Sequence, residues 1–96
     1  MTLMRVETRT LAPDEQGYPR VAVKITQKDE ADVHNTVRPP MSYASVSIEA
    51  HEAAIARTIS RETFNRISSF YKVGETESGF KFTIFLDPEE DAAKEV

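Results

Sequence analysis

Metal ligands and general acids are the first chemistry to look for here, because the chain has no cysteine but two histidines and sixteen Asp and Glu residues. A helical zinc site needs two histidines four residues apart, so that both imidazoles leave one helical face. The string His51-Glu52-Ala53-Ala54-Ile55 supplies the first histidine, but Ile55 stands where the second ligand belongs. His51 is therefore read as a surface histidine at a helix start. Asp29, Asp32 and His34 offer oxygen and nitrogen donors close together, a set that holds a divalent ion only weakly. No metal ligand, cofactor or catalytic residue is assigned. The serines and histidines form no nucleophile–base pattern, and the paired carboxylates fall in loops and tail, where solvated charge is the default. A chain under a hundred residues with no cofactor motif reads as non-catalytic.

Two short strings resemble motifs of known families. Asp29-Glu30-Ala31-Asp32 is similar to the acidic box of a helicase family, in which the acids hold magnesium beside a phosphate-binding loop. This chain has no Gly-x-x-x-x-Gly-Lys and is too short for a helicase core. Ser60 to Ile67 resembles the recognition helix of a helix-turn-helix protein, with Ser60 as its cap and Ile55–Ile59 in the first helix. That motif requires a turn of three or four residues between helices, and no such turn fits. The resemblance implies an alternative function, a small DNA-binding transcriptional regulator using helix 52–72, where Arg57, Arg61, Arg66 and Lys72 make the region basic.

The element that must position most of these residues is 52–72. At 100° per residue, Ala56, Ile59, Ser60, Thr63, Phe64, Ile67, Phe70 and Tyr71 share an arc of roughly 140°. The pattern predicts one long amphipathic helix stopped at Gly74, with Ser60 as the rival cap of a shorter second helix. Alternation predicts strands over 3–10, 20–27, 42–50 and 79–86, the first two forming an antiparallel hairpin. In the last, Phe80, Phe82, Ile84 and Leu86 form one face and Phe85 lies opposite. Residues 28–41 show no period and end in Arg-Pro-Pro, which predicts a long loop. The expected fold is α+β, in the order β-β-β-α-β. A mainly antiparallel four-stranded sheet carries the helix across one face, and its other face is partly open around Phe85 and Tyr43.

Net charge is −4, but residues 74–96 hold seven acids against Lys81 and Lys94 while the first 73 residues sum to +1. Such a balance fits neither a wholly acidic nucleic-acid mimic nor a general nucleic-acid binder. One domain over 1–87 is expected, followed by a charged tail over 88–96 expected to be disordered. No apolar run approaches the ~20 residues that span a bilayer, and MTLMRVETRT lacks the apolar core of a signal peptide. A cytoplasmic location with no membrane role is expected.

These observations point to a small protein-binding module. It would act as an adaptor or as an inhibitor of a larger protein, of the kind that mobile elements and phages encode. The expected contact residues are Arg57, Arg61, Lys72, Asp29, Asp32, Arg38 and Phe85. A homo-oligomer joined through an open sheet face or edge is the third expectation.

Overall fold

The structure is a computed structural model and describes residues 2–40, 42, 44 and 46–88. Its elements are β1 (Thr2–Leu11), β2 (Arg20–Gln27), β3 (Val33–Val37), α1 (Ile48–Thr58), α2 (Arg61–Asn65), β4 (Ile67–Glu75) and β5 (Gly79–Leu86). The five strands form one antiparallel sheet in the order β3-β2-β1-β5-β4. The chain is α+β with a short helix packed on the sheet.

Three of the expected strands and the β1–β2 hairpin stand where alternation put them. The sidedness is also as read. Met4 and Val6, then Val21, Val23 and Ile25, then Phe82, Ile84 and Leu86 are buried on one face. Ala54, Ile55 and Ile59 from the helical segment, with Val37 of β3, complete that core. Burying each large aliphatic side chain contributes about 1.5–3 kcal/mol, and the core is one contiguous cluster. Gly79 pairs with Arg9 where β5 begins, close against the β1 backbone. A Cβ there would collide with the carbonyl of Thr8.

The single helix over 52–72 is not formed. Helix α1 begins earlier, at Ile48, and its last N–H bond is Ile59 N–H to the Ile55 carbonyl at 3.1 Å. Ile59 is extended, with ψ 138°. Ser60 then caps α2, its Oγ accepting the Thr63 N–H at 3.2 Å. From Ile67 onward the chain is strand. Phe70 pairs with Ile84 and Tyr71 with Thr83, so these two aromatics face opposite sides of the sheet instead of sharing a helical arc. Gly74 sits inside β4 opposite Lys81 and stops no helix. The physical reason is that β-branched and aromatic residues suit a pleated surface, and an edge of β5 was available to pair with them. That pairing outweighs a local helical period.

The strand expected over 42–50 is absent from its described residues, which turn into α1. Ser47 is the N-cap, its Oγ accepting the Ala50 N–H at 3.3 Å, and Ile48-Glu49-Ala50 is the first turn. Tyr43, Met41 and the tail 89–96 lie outside the described residues. The missing strand comes from the stretch expected to be a loop, 28–41. A tight turn with Asp29 at φ 65° leads from β2 toward β3, which pairs Val21↔Val37 and Lys24↔His34. The alternation of β3 was weak because, of Val33, Asn35 and Val37 on the helix side, only Val37 is buried.

The earlier start of α1 also moves His51. Ala50, His51, Ala54 and Ile55 form its buried stripe, so His51 is wholly buried instead of being a surface residue. Its Nδ1 lies 2.6 Å from Thr8 Oγ1 and its Nε2 2.9 Å from Thr10 Oγ1. The ring meets Phe80 edge-on at 5.0 Å between centroids. A buried imidazole requires such partners for its nitrogens, and two hydroxyls on β1 supply them.

Candidate functional site

Residues paired across antiparallel strands share a face, so the register defines the surface opposite α1. Glu7 lies between Lys24 and Lys81, Arg5 between Thr26 and Thr83, and Arg9 between Ala22 and Gly79. Arg20 sits opposite Leu11 on the same side, and His34 opposite Lys24. Leu3 pairs with Phe85, and Tyr71 lies beyond Thr83. The Tyr71 and Phe85 rings meet edge-on at 6.3 Å between centroids.

This open face therefore carries Arg5, Arg9, Arg20, Lys24 and Lys81 against Glu7, with Asp32 beside Lys24 and Glu77 at its margin, a balance of +2 in a chain of net −4. The rest of the chain carries −6. Two of the cations are engaged. Arg20 donates from Nε and Nη2 to the Ala12 carbonyl at 3.0 and 2.8 Å, and Lys24 stands 3.8 Å from Asp32. Among the described residues, Arg5, Arg9 and Lys81 are exposed and have no carboxylate at ion-pair distance. A shallow depression of about 870 Å³ opens on this face beside Glu7, Arg9, Lys24, His34 and Thr36.

The residues singled out in the sequence are dispersed. Arg57 and Arg38 do meet, since Arg57 Nη1 donates to the Arg38 carbonyl at 2.7 Å. Arg38 in turn pairs with Asp14 at 3.2 Å and lies 4.0 Å over the Tyr18 ring. The Tyr18 backbone N–H above all, then the Gln16 N–H and the Arg38 guanidinium, hold the Asp14 carboxyl below the usual carboxylate range. Desolvation opposes them. This cluster fastens the β1–β2 loop to the segment after β3. Arg61 stands exposed at the start of α2, and Lys72 pairs with Glu75 at 2.7 Å on β4. Asp29 lies in the β2–β3 turn, and Phe85 belongs to the open face. Arg57, Arg61 and Lys72 thus sit on three different elements and share no helix.

Sequence reasoning missed Arg5, Arg9, Lys24 and Lys81 as a group. The alternation of β1, β2 and β5 placed each on an outward side, but nothing local reveals that β1 is the central strand between β2 and β5. Among the described residues, no three His, Asp or Glu side chains converge as metal ligands, and no helix is long and apolar enough to cross a membrane. Compared with family models, curated proteins and solved structures, the chain matches none.

Proposed function

We propose that the protein is a non-catalytic binding module that lays its open sheet face on an acidic surface of a larger protein, as an adaptor or an inhibitor. The observation that carries this is the gathering of five cations, net +2 with the neighbouring acids, onto one face of a net-negative molecule. Complementary potentials steer encounter and exclude wrong partners, and arginine and tyrosine are among the residue types that dominate interface energies. Two copies pressed together through this face would oppose cation to cation, which disfavours self-assembly there.

Affinity capture from the native host, followed by titration of the purified partner, tests the proposal. The combined variant Arg5→Glu, Arg9→Glu and Lys81→Glu alters only exposed side chains and should weaken the complex at least about tenfold. Raising salt from 50 to 300 mM should weaken the wild-type complex too, because exposed charges are screened over ~10 Å at 0.1 M. A partner held equally well by the reversed variant would remove the proposal.

The Tyr71–Phe85 pair among the cations supports a second reading, single-stranded nucleic acid stacked on the rings with its phosphates on the arginines. A mobility shift on single-stranded oligonucleotides at physiological salt, abolished by the same variant and with no protein partner captured, would favour it. The DNA-regulator alternative built on 52–72 has lost its long helix and would need this face instead.

A further inference from the structure

Among the described residues, the opposite side of the sheet has an incomplete layer. Five strands at ~4.8 Å spacing make a sheet about 19 Å wide, and one helix is about 10 Å across. Helix α1 packs on β2, β3, β1 and β5, while β4 takes no substantial part. Helix α2 has only five residues. Between α1, α2 and β4 lies a groove of about 790 Å³ with Ile55 and Ile59 among its lining and Phe64, Ile67 and Phe70 toward α2 and β4. Phe64 is 51% exposed.

The flank of α1 that borders the groove is Glu49, Glu52, Ala53 and Ala56, spaced i, i+3, i+4 and i+7 along one stripe. The two alanines leave room for another helix axis at the usual 8–10 Å. Glu49 and Glu52 form a like-charged pair on adjacent turns, which costs a few tenths of a kcal/mol in an isolated helix. No Lys or Arg stands at ion-pair distance from either among the described residues.

We propose that this groove receives an amphipathic helix of a partner protein. Its apolar stripe would lie on Phe64, Ile67 and Phe70, and its flanking lysines or arginines would meet Glu49 and Glu52. The width of the uncovered strip fits one helix, and the rim charge selects a basic one. Residues 89–96 are a poor occupant by sequence, because Glu89, Glu90, Asp91 and Glu95 carry the same sign as the rim. The groove shares no residue with the open sheet face and stands independently of it. Two surfaces of opposite charge on opposite sides describe an adaptor that bridges two partners.

The test uses the full chain and a synthetic peptide with leucines at i, i+3, i+4 and i+7 and lysines on both flanks. Controls are a scramble of the same composition and an analogue with glutamates replacing the lysines. Backbone amide shifts should concentrate at Glu52, Ala53, Ala56, Phe64 and Phe70 and leave Arg5 and Arg9 unmoved. Phe64→Ser should weaken binding about tenfold with the circular dichroism spectrum retained. The pair Glu49→Lys and Glu52→Lys should reverse the preference in favour of the glutamate-flanked peptide. Equal binding of the scramble overturns the proposal. So does a groove already filled without peptide, by a second copy (shifts that grow with protein concentration) or by the chain's own end (shifts on truncation after Pro88).

Discussion

His51 and Thr8 are the buried polar side chains of the described core, and they bond to each other. His51 is wholly buried and bonded to hydroxyls of Thr8 and Thr10 on the central strand. Replacing it by alanine creates a cavity and withdraws a hydrogen-bond partner from both threonines. His51→Ala should therefore lower unfolding free energy by about 3–4 kcal/mol in urea titrations. His51→Leu restores volume but not the hydrogen bonds, so it should recover only part of that loss. Gly79→Ala should destabilise comparably, by on the order of 3 kcal/mol, because the new methyl meets backbone that cannot give way. Asp14 behaves differently. Its folded carboxyl titrates below its unfolded one, so its contribution is fully present above about pH 4 and is lost as pH falls through the folded value. The stability gap between wild type and Asp14→Asn, measured across pH 2–6, should accordingly close toward the acid end.

At the scale of elements, the break at Ile59–Ser60 decides the architecture. Ser60→Ala removes the α2 cap and should cost about 1 kcal/mol. The capping signal was legible as the rival to a continuous helix, yet the apolar arc running through Ser60 kept its phase and concealed the break. Phe70 and Tyr71 fit both a helical arc and a strand with alternating faces. Only the partner strand β5, distant in sequence until a turn brings it back, distinguishes the two. The strands β1, β2 and β5 were legible because their alternation is strong and both faces are chemically distinct. Strand β3 was not, because Val33, His34, Asn35 and Thr36 are all exposed on an edge. His51 was misplaced by one consequence of the same error. With α1 starting at Ile48, His51 lies within the helix on the buried face shared with Ala50, Ala54 and Ile55.

For the whole molecule, the sheet separates two chemistries. One side carries α1, the core and a partly covered groove with an acidic rim. The other presents cations around Glu7, with Asp32 and Glu77 and an aromatic pair toward its margin. Composition concealed this, since a net charge of −4 averages a +2 face with a −6 remainder. Phe85, chosen from sequence as an exposed aromatic, does belong to the open face, whereas the basic residues of 52–72 do not assemble into a surface. The most direct measurement of the central claim places a photo-cross-linking residue at Thr26, beside Arg5 on the open face, in the native host. A covalent adduct with one discrete protein, weakened when Arg5, Arg9 and Lys81 are reversed and absent with the cross-linker at Glu15, is the predicted result. An adduct formed equally from Glu15, or no protein adduct from Thr26, would contradict it.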